Sequence, residues 1–199
     1  NKTKVFATQE SEGFVPVLFL KTGDVLNNCR SIDKDLSTYS TITVGIGALG
    51  LGTTWQNLLF KQSVSKGTPV TVKLGQEYSG LQLADGVTVA PVDAAGNLLG
   101  PLQSIGEGAL LELLVGDNVF EHTFVPQGYR GEPIDYQGVR VTVGSLLAVA
   151  NNAKIFGAYY YGAPTESNTC NTISDVVYGA YGPLKCDVVG LPLTLNDAV

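Results

Sequence analysis

Short runs in which apolar and polar residues alternate recur along this chain, broken by glycine, proline and asparagine, and they confine it to β structure. In PVTVKLG, Val70, Val72 and Leu74 share one face while Thr71 and Lys73 share the other. GVRVTVG does the same with Val139, Val141 and Val143 against Arg140 and Thr142. NVFEHTFVP puts Phe120, His122 and Phe124 on one side. A period of two is the side-chain period of a strand with one buried face. Turn signals separate the runs at Lys66-Gly67-Thr68-Pro69, Asp85-Gly86, Ala95-Gly96-Asn97, Gly116-Asp117-Asn118 and Tyr129 to Pro133,. Further runs (WQNLLF, GVTVAPV, AKIFGAYYYG) bring the expectation to about ten to twelve strands, a spacing that fits a β-sandwich.

Helical pattern is thin. EGALLELLVG (107–116) predicts one short helix, and VGSLLAVANNAK (143–154) a second, with Ser145 as cap and Asn151-Asn152 as stop,. The expected fold is therefore all-β: a jelly-roll-like sandwich over 1–162 with one or two short helices. An extension over 163–199 ends in an edge strand. In that strand Val189, Leu191, Leu193 and Leu195 alternate with Val188, Gly190, Pro192 and Thr194. Pro192 has no N–H, so the strand belongs at an edge. It can cover its own sandwich or add to the sheet of a second subunit, and the latter is a head-to-tail contact that propagates as a filament.

Composition narrows the partners. Only 15% of residues are charged, with a net charge of −6, and no lysine–arginine cluster occurs, which argues against nucleic acid and anionic membrane surfaces,. No apolar run reaches the roughly 18 residues that span a bilayer. The chain has no methionine and begins NKTKVFATQ, read as a processed N-terminus or a fragment,. Of the three cysteines, Cys170 and Cys186 flank a short Gly/Pro-bearing segment and form the expected disulfide, with Cys29 buried and free,.

The sites that carry chemistry are few. The single histidine, His122, lies within a strand pattern and reads as structural, since a general base needs convergent partners,. The glycines of GIGALGLG lack the Lys-Ser/Thr of a phosphate loop,. SIDKDLSTYSTI sets Asp33 and Asp35 two apart, ahead of Ser37, Thr38 and Tyr39. An EF-hand register puts Thr38 where glycine is wanted and Val44 where a bidentate glutamate is required, so that reading fails,. Two readings are left open. One is an Asx-type turn bonding its own backbone; the other is a structural calcium held by Asp33, Asp35 and Thr38.

The same stretch resembles the Asp-x-(Asp/Asn)-Leu-x-Thr-Tyr-(Ser/Ala)-Thr signature of a module in large secreted and cell-surface proteins of Bacteroidota. The resemblance covers roughly 4–163 and includes VFATQ, WQNLLF with GTPVTVKLG, and FEHTFVP through GAYYYG. GYRGEPI stands as an insertion. The stretch is also similar to the Asp-Gly-Asp entry of discoidin-like, galactose-binding-like jelly rolls, with Lys34 in place of the glycine and Tyr39-Ser40 in place of the tryptophan. GLPLTL looks like the link to the sorting domain of type IX secretion cargo. The resemblance implies export by a signal peptide and a place outside the cell or on its surface. The absence of a nucleophile–base set, the low charge and the glycine-rich β pattern point to a non-enzymatic structural or adhesive role, as a self-assembling subunit of a fibre, filament or layer,. The alternative is a carbohydrate-binding module for a surface glycan, with Trp55 or the tyrosines of 159–161 as platform.

Overall fold

The structure, a computed structural model, describes residues 2–15, 21, 23–44, 52–76, 86–105, 112–114, 119–144 and 151–162. The strands are β1 (Thr3–Phe6), β2 (Gln9–Val15), β3 (Gly23–Leu26), β4 (Ser40–Val44), β5 (Thr53–Val64), β6 (Val70–Gln76), β7 (Val87–Val92), β8 (Gln103–Ser104), β9 (Glu112–Leu114), β10 (Val119–Phe124), β11 (Tyr136–Gly144) and β12 (Asn151–Gly162). They form two antiparallel sheets packed as a sandwich. One runs β3-β4-β12-β6-β10-β9, with β1 also on β12; the other runs β2-β5-β11-β7-β8. Along one edge β12 pairs with β4 over Asn151–Ile155 and with β1 over Tyr159–Gly162.

The alternating runs build the core as their spacing requires. Val70, Val72, Leu74, Val139, Val141 and Val143 are each fully buried and join one cluster with Leu58, Phe60, Ile42 and Ile155. Burying side chains of this size contributes roughly 1.5–3 kcal/mol each. His122 also faces inward, stacked on Phe124 at 5.3 Å, with both ring nitrogens unpartnered. Burial depresses its pKa, so it is a neutral core residue, as its strand pattern implied.

The helix expectations are corrected where the residues are described. Glu112–Leu114 is strand, with Leu113 opposite Phe120. Asn151 and Asn152, read as a helix stop, open β12 opposite Val44 and Thr43. Good helix formers are overridden where a sheet edge takes up their backbone groups and, as at Ala153, the core takes the side chain,. The extension 163–199, with Cys170, Cys186 and the strand Val189 to Leu195, lies outside the described residues. Cys29 is exposed rather than buried, and its sulfur is in a disulfide rather than free.

A bulge decides which tyrosines face outward. The β12–β6 register shifts between Ile155 and Gly157, and Gly157 takes φ +146, a backbone conformation that favours glycine,. The extra residue puts Ile155, Ala158 and Tyr160 toward the core and Tyr159 and Tyr161 outward. Strict alternation from Ile155 would have turned Tyr159 and Tyr161 in.

One part of the interior is polar. Glu10, Glu12 and Phe14 of β2 stand opposite Leu58, Gln56 and Thr54 of β5, on the face that meets the other sheet. Glu10 is fully buried. Its Oε1 accepts from Asn28 Nδ2 (3.0 Å) and its Oε2 from Gln56 Nε2 (3.3 Å). Gln56 also donates to Asn28 O (3.1 Å) and accepts from Ser40 Oγ (2.6 Å). The network ties β2 and β5 to β4 and to the 3-10 turn Asn28–Ser31. Burial outweighs these hydrogen bonds and raises the Glu10 carboxyl from 4.5 to about 7,.

Folded Glu10 thus binds its proton more tightly than the unfolded chain does. Its contribution to stability is greatest below about pH 4.5 and is lost as pH rises through 7, by roughly 3 kcal/mol at most,. His122, with a depressed pKa, acts in the opposite sense but is common to both proteins in the comparison. Denaturant unfolding from about pH 5 to 8 is therefore expected to show wild type losing about 1–3 kcal/mol more than Glu10→Gln. Equal slopes would show that Glu10 titrates normally. For the cysteines, non-reducing peptide mapping is expected to return Cys29 linked to a peptide holding Cys170 or Cys186; a free Cys29 beside a Cys170–Cys186 pair would contradict this.

Candidate functional site

The loop flagged by the sequence joins β3 to β4 and folds over the bulge of β12. Ser31 O and Leu36 Cδ2 lie where a β-carbon at Gly157 would meet them, at 3.2 and 3.3 Å. Lys73 Nζ donates to Leu36 O at 2.9 Å, and the Tyr39 ring packs 5.2 Å from Phe156. Within the loop Asp33 Oδ1 accepts from Asp35 N (2.8 Å), and Asp35 Oδ1 accepts from Ser37 N and Ser37 Oγ (2.9 and 2.6 Å). These are Asx turns, with each carboxylate bonding the backbone two residues on. The Ser37 bonds, side chain first, hold the Asp35 carboxyl below the usual aspartate range. Lys34 takes φ +69, in the left-handed region that favours glycine,.

Asp33 and Thr38 are brought together, whereas the Asp35 carboxylate turns to Ser37. Thr38 Oγ1 lies 2.6 Å from Asp33 Oδ2, 3.1 Å from Arg30 O and 3.2 Å from Asp35 O. One hydroxyl proton serves one of these acceptors. Four oxygens therefore gather at a point, short of the six to eight a calcium ion takes. Among the described residues no group of three or more His, Cys, Asp or Glu side chains is placed to hold a metal. The donor set fits a hydrogen-bonded turn, and a calcium would have to displace bonds already made.

The aromatic candidates separate sharply. Trp55 stands on the outer face of the five-stranded sheet, lying against Gly13 of β2. Arg140 of β11, bonded to Asn57 Oδ1 and Gly96 O, places its guanidinium 4.8 Å from the Trp55 ring. The ring is engaged from both neighbouring strands. Tyr160 packs inward against Phe60 at 5.0 Å. Tyr159 and Tyr161 share the outer face of the seven-stranded sheet, ring centroids 5.7 Å apart. Tyr159 is buried beneath its neighbours: Phe6 (5.8 Å), Lys4 Nζ (4.0 Å above the ring) and Glu121, whose Oε2 accepts from its hydroxyl (2.9 Å). Tyr161 is 50% exposed. The outer face thus presents the half-open ring of Tyr161 beside Tyr159, whose own neighbours are an ammonium and a carboxylate, and the hydroxyl pair Thr71–Thr123 (2.8 Å) lies across from Tyr159 on the next strands.

Sequence reasoning missed the buried carboxylate of Glu10 on β2. Glutamates at alternate positions read as a solvent face, which holds for the exposed Glu12 but not for Glu10,.

No family model matches the chain, and no curated protein matches it. Among solved structures it is similar to the family 32 carbohydrate-binding module of C. perfringens NanJ in complex with galactose, at 15% identity over 80% of this chain and 100% of that one, TM-score 0.39. The lectin domain of lectinolysin complexed with Lewis B antigen gives 13% identity over 79% and 95%, TM-score 0.39. A CBM32 module from a family 31 glycoside hydrolase of Clostridium perfringens gives 10% over 80% and 95%, TM-score 0.40. The likeness concerns the sandwich arrangement alone.

For the loop, the expected outcome of thermal melts in calcium and in chelator is an unchanged melting point. A rise in calcium that chelator reverses would establish an ion at Asp33 and Thr38, because a ligand bound to the folded state stabilises it by mass action.

Proposed function

We propose that this chain is a non-catalytic glycan-binding sandwich of the cell exterior, which takes its ligand on the outer face of the seven-stranded sheet. The observation that carries the reading is the half-exposed Tyr161, edge-on to Tyr159, a ring that itself holds Lys4 Nζ and Glu121 on the same sheet face. A sugar offers an apolar C–H face and a rim of hydroxyls. An aromatic ring supplies contact area for the first, and fixed charged and hydroxyl groups bond the second. Tyr159 serves by holding Glu121 and Lys4 in place rather than by stacking. The reading of a filament subunit draws its argument from Val189, Leu191, Leu193 and Leu195, outside the described residues. The glycan reading is the one the described surface supports.

A glycan array with the full chain, followed by calorimetry on the strongest hit, tests this. Tyr161→Ala is expected to weaken binding by about tenfold or more while leaving the melting point within a degree or two, since the ring is half in solvent,. A silent array, or a hit that Tyr161→Ala leaves intact, would overturn the assignment of this face.

A further inference from the structure

The polar interior opens to solvent at the sandwich edge, where β2 of one sheet meets β3 of the other. A cleft of about 100 Å³ lies there, lined by Glu12, Phe14, Lys21, Gly23, Asp24 and Thr54 among others. It is remote in the fold from Tyr161, since β2 and β3 are edge strands and Tyr161 lies on β12.

Three observations give the cleft a chemistry. Thr54 is 2% exposed, and its hydroxyl has no hydrogen-bond partner. A buried hydroxyl without a partner is costly, and such groups are few in native proteins. Gly23 packs its backbone against that hydroxyl at the cleft wall: a β-carbon there would overlap Thr54 Oγ1 and Thr43 O. Glu12 and Asp24 place two carboxylates at the cleft, but Lys21 is the sole lysine or arginine among the described residues that line it, and its ammonium is already held by Asp24 Oδ1 at 2.9 Å. Glu12 is left without an ion pair among the described residues. Glu12 itself is exposed at the rim; partial desolvation first, then the nearby Asp24, raises its carboxyl above the usual range, while Lys21 and Asn28 pull the other way. The lining is thus rich in acceptors, poor in free donors and one positive charge short. Phe14, 37% exposed, adds an apolar wall, with the Lys21 ammonium 5.9 Å from its ring. At the rim the half-exposed Lys21 ammonium already lies between a carboxylate and an aromatic face.

We propose that this cleft binds a vicinal amino alcohol, with its ammonium on Glu12, its neighbouring hydroxyl on Thr54 Oγ1 and its carbon skeleton against Phe14. An amino sugar and an ethanolamine headgroup both present that group. The first source rests on the glycan reading above; the cleft itself does not.

The test is an amide-resolved NMR titration of the full chain at about pH 7, where such amines are largely protonated. The probes are D-glucosamine and ethanolamine, with D-glucose and N-acetyl-D-glucosamine as controls. Saturable shifts at the Gly13, Gly23 and Thr54 amides are expected with the two amines and not with the controls. Thr54→Val, which removes the hydroxyl at nearly constant volume, and Glu12→Gln should each weaken amine binding by about tenfold or more. A melt of each variant confirms folding, and Glu12→Gln at the rim reads the site if Thr54→Val does not fold. Glucosamine binding about tenfold better than ethanolamine points to the sugar source, and equal binding to the headgroup. Glucose binding as well as glucosamine, no response to either amine, or folded variants that bind like wild type would overturn the proposal. Tyr161→Ala should leave the amine titration unchanged. A lost cleft signal beside a Tyr161-dependent glycan signal defeats this inference alone, and the reverse pattern defeats only the assignment of the sheet face.

Discussion

The hydrogen-bonded unit of Glu10, Gln56, Asn28 and Ser40 is the interaction on which the arrangement of this molecule turns. Elsewhere the sheets meet through valine, leucine and isoleucine, contacts that are non-directional and tolerate small slips. Here they meet through three specific bonds, Ser40 to Gln56 and Asn28 to both Glu10 and Gln56, while Gln56 to Glu10 braces β5 against β2 within one sheet. Gln56 uses both amide protons and its oxygen, so moving β5 against β4 or the 3-10 turn would strand a buried polar group at roughly 1–3 kcal/mol. Asn28 is held within that unit, and Asn28 begins the turn that leads into the Asp33 loop. The position of the loop over the β12 bulge therefore follows from a network on the far side of the turn.

The same network explains why this edge is open. A run of inward polar residues on β2 cannot close against β3 as an apolar strand would, and Gly23 removes the side chain that would fill the gap. The protein forgoes apolar burial there and gains a cleft whose walls are carboxylates, a hydroxyl and one aromatic ring. At the other surface the bulge at Gly157 performs a comparable service, turning Tyr159 and Tyr161 to the outer face where alternation would have turned them to the core. Both candidate surfaces thus arise where the regular pattern of the sandwich is broken.

Where the pattern is regular it was legible in the sequence. Val70 to Leu74 and Val139 to Val143 face the core as their alternation requires, because a period of two admits one orientation once a face is buried,. The helix expected at 107–116 failed where described, since leucines favour a helix only until a neighbouring strand such as β10 offers its edge. β2 was not read as a strand at all: its inward positions carry Glu10 and Glu12, and burial of a carboxylate depends on partners as distant as Gln56, forty-six residues on. The Asp33 loop was recognised as a turn or an ion site, and its hydrogen bonds follow the turn. The facing of the three tyrosines could be split but not directed, because the register shift at Gly157 is set by β6.

The most direct test of this account is the titration of the Glu10 side-chain carboxyl itself, followed by carbon-13 NMR in the folded protein. A midpoint near 7 is the result predicted for a carboxyl sealed between the sheets with amide donors as its partners. A midpoint near the ordinary 4.5 would place Glu10 in water, and neither the network nor the opening of the cleft beside it would stand.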